Sequence, residues 1–170
     1  LIGNASTIPG FVSQSGGTLN IGNRIRLAHW PSPTTSTYTM SAGNLNVTNA
    51  LNVGWDGPAT FTQTGGAVSA LGVVVDANGV TAGADTYTLQ GGTLNVGTGG
   101  ITTVDTYAVN LGGGVNPVLR ATGNWTSPLA MTLSGTGANA VQVNTNGFNI
   151  TLSGVLSGAG GLSKNTGSGT

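Results

Sequence analysis

Thr86-Tyr87-Thr88-Leu89-Gln90-Gly91-Gly92-Thr93-Leu94-Asn95-Val96 contains a strand, a corner and a second strand in one short run. In an extended chain successive side chains point to opposite faces, so Tyr87, Leu89, Leu94 and Val96 share one side while Thr and Asn take the other. Gly91-Gly92 supplies the break, because glycine turns sharply without a Cβ clash. The same order returns in Thr37-Tyr38-Thr39-Met40-Ser41-Ala42-Gly43-Asn44-Leu45-Asn46-Val47 and in Thr60-Phe61-Thr62-Gln63-Thr64-Gly65-Gly66-Ala67-Val68. An earlier copy without the aromatic is Val12-Ser13-Gln14-Ser15-Gly16-Gly17-Thr18-Leu19-Asn20-Ile21, and a degenerate later one is Thr106-Tyr107-Ala108-Val109-Asn110-Leu111-Gly112. Aligned on Gly17, Gly43, Gly66, Gly92 and Gly112, the copies lie 26, 23, 26 and 20 residues apart. Periods of that size belong to solenoids, in which each repeat is one coil stacked on the last.

Asn-Gly and Gly-Gly corners also serve hairpins. Whole blocks repeating in the same order superpose best when every copy runs in the same direction, which favours parallel coils. Further on, Met131-Thr132-Leu133-Ser134-Gly135 and Ile150-Thr151-Leu152-Ser153-Gly154 echo one another. Starts at Val12, Tyr38, Phe61, Tyr87, Tyr107, Met131 and Ile150 give about seven coils. At the ~4.8 Å spacing of neighbouring strands these make a rod roughly 30–35 Å tall. In it Tyr38, Phe61, Tyr87 and Tyr107 are expected to form a stacked aromatic column, and Asn20, Asn46 and Asn95 a hydrogen-bonded ladder. The expected fold class is all-β, a single-stranded parallel β-helix or β-solenoid with essentially no helix. Glycine, 31 of 170 residues, falls too often for helix interiors, where each costs about 1 kcal/mol.

Composition agrees. Gly, Thr, Asn and Ser make up 87 of the 170 residues and charged residues only 5%. Such a chain would read as disordered if apolar residues were sparse, but they are 38% of it and fall in strand-like alternation. Length fits one β-solenoid domain over residues 1–170, either whole or cut from a longer repeat protein. Net charge is zero with no basic stripe, which gives no footprint for nucleic acid. No run reaches the eighteen or so apolar residues of a membrane-spanning helix.

The stretch Leu152-Ser153-Gly154-Val155-Leu156-Ser157-Gly158-Ala159-Gly160-Gly161-Leu162-Ser163-Lys164-Asn165-Thr166-Gly167-Ser168-Gly169-Thr170 resembles the autotransporter-associated β-strand repeat. That family's pattern is a Gly-Ala-Gly-Gly-Leu core, a Ser/Thr-Lys step and then Gly-x-Gly-Thr before a further Leu-rich strand, which is not present after Thr170. The resemblance implies a right-handed β-helix, exported and displayed on or released from a bacterial surface.

Few residues carry reactive chemistry. The four carboxylates are Asp56, Asp76, Asp85 and Asp105. Asp85-Thr86-Tyr87 and Asp105-Thr106-Tyr107, one repeat apart, could stack two carboxylates within reach of one cation, but Ca²⁺ takes six to eight oxygens. A solvated corner is the expected role of this pair, against a calcium site or a catalytic role. Arg24-Ile25-Arg26-Leu27-Ala28-His29-Trp30-Pro31-Ser32-Pro33 gathers two of the four basic side chains and the only His. Alternation places Arg24 and Arg26 on one face over Ile25 and Leu27, and the prolines end the strand. Arg24, Arg26, His29 and Trp30 are therefore candidates for a contact loop that grips a neighbouring subunit or an anionic glycan, set against the plainer expectation of an exposed loop. Trp30, Trp55 and Trp125 are candidate sugar-stacking platforms, although Trp in a turn such as Trp55-Asp56-Gly57-Pro58 commonly caps a core. A lone His without a carboxylate or nucleophile is no triad.

The expected function is a non-enzymatic structural building block of an exported bacterial surface structure or extracellular filament. It carries no cofactor, and its partners are copies of itself stacked head to tail. Neither Leu1-Ile2-Gly3-Asn4 nor Thr166-Gly167-Ser168-Gly169-Thr170 reads as a polar cap of the kind that blunts solenoid ends. The alternatives are the stalk of a glycan-binding adhesin and a polysaccharide lyase or hydrolase, the latter lacking a carboxylate cluster.

Overall fold

The structure is a computed structural model that describes Ile2 and residues 9–31, 33–79 and 85–170. Leu1, Gly3 and Asn4 of the expected uncapped start, and Ser32 of the Pro-Ser-Pro break, lie outside the described residues. The strands are β1 (Phe11–Ile21), β2 (Ile25–Arg26), β3 (Ser36–Val53), β4 (Ala59–Gln63), β5 (Ala67–Val75), β6 (Asp85–Leu89), β7 (Thr93–Thr102) and β8 (Tyr107–Gly112). They continue as β9 (Val118–Ala121), β10 (Trp125–Ser127), β11 (Met131–Ser134), β12 (Val141–Asn144), β13 (Ile150–Leu152), β14 (Leu156–Ser157) and β15 (Leu162–Thr166). Every strand pair is parallel. The chain is an all-β parallel β-solenoid of about six turns. The helical element among the described residues is the 3₁₀ turn Gly137–Asn139.

Each turn contributes to three stacked ladders. The first ladder runs through the opening halves of β1 and β3, then β4, β6, β8, β11 and β14. Its seven rungs bracket the six turns. The second ladder runs through 18–21, 44–47, 67–70, 93–96, β9, β12 and β15. The third stacks 25–26, 51–53, 73–75 and 101–102, continued by β10 paired with β13. The period-2 alternation turns Leu45, Val68, Leu94 and Leu119 inward in one column, each fully buried. A fully buried aliphatic of this size stabilises by about 1.5–3 kcal/mol relative to exposure.

On the first ladder Tyr38, Phe61 and Tyr87 are buried and stacked, with ring centroids 4.8 and 5.2 Å apart. Tyr107 is not the fourth member of this column. Register pairs Tyr87 with Val109 and Asp85 with Tyr107, and the Tyr107 hydroxyl instead accepts a hydrogen bond from the Ala130 N–H at 2.9 Å. A slip of one residue would turn the strand inside out; a slip of two keeps every side chain on its face, so alternation does not detect it. The same slip removes Gly112 from the glycine column, because Thr93 pairs with Val118. Ile150 likewise stacks on Trp125 in the third ladder, whereas Met131 stacks with Leu156 in the first. The two copies of one five-residue pattern thus lie on different faces.

The column Gly17, Gly43, Gly66, Gly92 turns from the first ladder to the second, all at positive φ. A Cβ on Gly66 would lie 2.6 Å from the Gly43 carbonyl oxygen, and one on Gly92 would run into the Gly66 carbonyl oxygen. At Gly17 a Cβ would meet nothing within 4 Å. Gly17→Ala therefore costs only left-handed backbone strain, about 1–2 kcal/mol. Gly92→Ala adds a clash with a backbone that the ladder holds in place, and its thermal midpoint falls well below that of Gly17→Ala. Equal midpoints would show that the turns separate easily.

Side chains join successive turns as well. Asn46 Nδ2 donates to Asn20 Oδ1 at 2.8 Å, and Asn95 Nδ2 to Ser69 Oγ at 3.1 Å, but Ser69, which stands opposite Asn46 in the register, makes no side-chain bond to it, so the expected asparagine ladder breaks into two separate pairs. Tyr38 Oη donates to Gln14 Oε1 at 2.6 Å and Tyr87 Oη to Gln63 Oε1 at 2.9 Å. Burial pushes both phenols above their ordinary pKa, so both remain protonated donors. Gln63 Nε2 in turn donates to the carbonyls of Gly66 and Thr93, tying the corner to the next turn.

Candidate functional site

The return from the third ladder to the first gathers the chain's carboxylates, its histidine and two of its three tryptophans on one corner. Ala28, Gly54 and Asp76 occupy equivalent places in three successive turns and all have positive φ, at 53°, 81° and 60°. Hydrogen bonds stack these corners: Asp56 and Gly57 N–H both donate to the Ala28 carbonyl, Ala77 N–H to that of Gly54, and Val104 N–H to that of Asp76. All four aspartates and the single histidine therefore lie on this corner or beside it.

Asp85 and Asp105 do not pair. Register sets Asp85 against Tyr107, leaving Asp105 two positions away and exposed. The carboxylates that approach one another are Asp76 and Asp85, both fully buried rather than solvated. The Asp85 carboxyl occupies the space a side chain on Gly54 would fill. Its Oδ1 accepts the Ala59 N–H at 2.6 Å, and Asp76 Oδ1 accepts the Gly79 N–H at 2.9 Å. The Oδ2 of each is buried with no hydrogen-bond partner among the described residues. Desolvation, reinforced by the charge of Asp76 and opposed by the Ala59 hydrogen bond, pushes the Asp85 carboxyl up to about 7. Among the described residues no three His, Cys, Asp or Glu side chains converge to hold a metal ion.

The predicted contact loop is placed as alternation requires: Ile25 and Leu27 are buried beneath, Arg24 is exposed and Arg26 half-buried. Arg26 does not project freely. Its guanidinium carbon lies 3.7 Å from the centroid of the Trp55 ring, a cation–π contact with the next turn. His29 stands between two indoles, 6.1 Å from Trp30 edge-on and 6.3 Å from Trp55. Trp30 is 51% exposed, while Trp125 is buried in the core and is no platform. Asp56, following Trp55, accepts a hydrogen bond from Asn78 Nδ2 of the third turn. The sequence marked Arg26, His29 and Trp30 but not Trp55 as their partner, because that contact depends on the inter-turn register.

No helix among the described residues is long and apolar enough to cross a membrane. Comparison of the chain with protein-family models, curated proteins and solved structures finds no significant match.

Proposed function

We propose that this chain is a non-enzymatic structural building block of an exported bacterial surface structure or extracellular filament, extended by end-to-end stacking of coils. The observation that carries this reading is the state of the outermost described rungs. Leu19 is 40% exposed, although its register partner one turn inward, Leu45, is wholly buried. Leu156 is 37% exposed, although its partner Met131 is 1% exposed. These are core positions lacking one covering turn, and a further coil of the same pattern fits them, from the same chain or from another copy. An open, unsymmetrical contact of that kind propagates as a fibre. The likeness of residues 152–170 to autotransporter-associated repeats supports export, and that stretch forms rungs β14 and β15 of the same stack.

Electron microscopy and fibre diffraction of the purified chain test this. The expected result is rods many times longer than one molecule, with the ~4.8 Å strand repeat along the long axis. Dispersed short particles at high concentration overturn it.

A further inference from the structure

We propose that the corner formed by Arg26, His29, Trp30, Trp55 and Asp56 is a binding site for an acidic sugar, with Trp30 as the stacking platform and Arg26 as the carboxylate receptor. The inference is independent of whether the rod polymerises.

Three observations carry it. Arg26 holds an unmatched charge among the described residues: its guanidinium rests on Trp55, its Nε is buried without a partner, and its side chain makes no ion pair or hydrogen bond there. In a chain with four basic residues, a guanidinium held over an indole ring with no hydrogen-bond partner among the described residues is a receptor oriented in advance for a carboxylate. Arginine recognises that group through two parallel hydrogen bonds. Trp30 is half-exposed, and its ring contact among the described residues is with His29, edge-on, which leaves exposed ring surface for the C–H face of a pyranose, an apolar surface with a polar rim. The corner is also braced from below. The Trp55-Asp56-Gly57 turn is seated by two hydrogen bonds on the Ala28 carbonyl, and Asn78 holds Asp56 from the next turn. Asp56 and His29 thereby offer fixed polar groups to sugar hydroxyls beside the platform, and little ordering remains to be done on binding.

Charge selects among sugars. A neutral glycan would use Trp30 but leave Arg26 unsatisfied; a hexuronate satisfies both. Arg24 is exposed two residues away and adds attraction for an anionic chain without a defined contact.

The test titrates the 170-residue chain with tetragalacturonate and, separately, with the neutral tetrasaccharide cellotetraose, followed by tryptophan fluorescence and calorimetry. Tetragalacturonate is expected to bind at least tenfold more tightly than cellotetraose, with an affinity that falls as salt is raised. Trp30→Ala, at a residue outside the core, should weaken tetragalacturonate binding at least tenfold with an unchanged melting temperature. Arg26→Gln should remove the preference for the acidic sugar and its salt dependence. Arg26→Lys, which keeps the charge but not the planar fork, should restore the salt dependence and only part of the affinity. The proposal is overturned if the wild-type chain does not bind tetragalacturonate, if cellotetraose binds as well, or if Trp30→Ala binds tetragalacturonate unchanged.

Discussion

Phe61→Ala is expected to lower the unfolding free energy by about 3–5 kcal/mol, the upper range for large-to-small changes in a core. Phe61 is wholly buried between Tyr38 and Tyr87 at 4.8 and 5.2 Å. Each ring contact adds about 0.5–1.5 kcal/mol beyond burial, so the substitution removes two contacts and opens a void. In a helical protein the neighbours could slump into such a void. Here backbone hydrogen bonds on both sides fix the rungs at strand spacing, so the void stays open and the loss stays near the top of the range. Denaturant unfolding of the two proteins measures it. A loss under about 1 kcal/mol would mean that the aromatic column is not the part of the core assigned here.

Stability is expected to decline as pH rises from about 4 to about 7, opposite to the usual behaviour of proteins stabilised by ionised carboxylates. The Asp85 carboxyl titrates near 7 in the folded chain, against an ordinary value of 3.8. Between those values the unfolded chain has released the proton and the folded chain still holds it, so raising the pH favours unfolding. The stability this group provides is complete below the ordinary value and lost by the time pH passes the folded value. One proton limits the slope to about 1.4 kcal/mol per pH unit, reduced to the extent that water entering the corner screens the charge. Asp85→Asn keeps an acceptor for the Ala59 N–H without an ionisable group, and its profile should be flat across this window. Melting temperatures from pH 4 to 8 check the sign; a wild-type profile that is level or rises between 4 and 7 refutes it.

The parallel stack was legible because its signal is repetition. Thr37-Tyr38-Thr39, Thr60-Phe61-Thr62 and Thr86-Tyr87-Thr88 fall in register residue for residue, and three of the four expected aromatics form the column. Tyr107 and Ile150 were misplaced for a common reason. Alternation fixes which side a residue faces but not which rung or which ladder it joins, and the longer link from Leu111 to Val118 shifts the count without disturbing the pattern. The burial of Asp76 and Asp85 was not legible at all. Asp76 sits at a corner and Asp85 at the head of a strand, where the sequence favours exposure, and the inward aim of Asp85 depends on Gly54, a residue from another turn that leaves room for its carboxyl. Arg26 and Trp55 meet across turns in the same way.

The Tyr–Gln and Asn contacts are unevenly distributed along the axis. Side-chain hydrogen bonds from Tyr38 to Gln14, Asn46 to Asn20 and Asn44 to Thr18 fasten the first turn to the second. Those joining Gln63 with Tyr87, Ser69 with Asn95 and Ala59 with Asp85 fasten the third to the fourth. Between the second and third turns the aromatic stack, the Asn78–Asp56 bond and a bond from Thr64 Oγ1 to the Met40 carbonyl take their place. Under tension such a column should part first between its second and third turns, like a chain at its one loosely clasped link, so that the first two turns come away together.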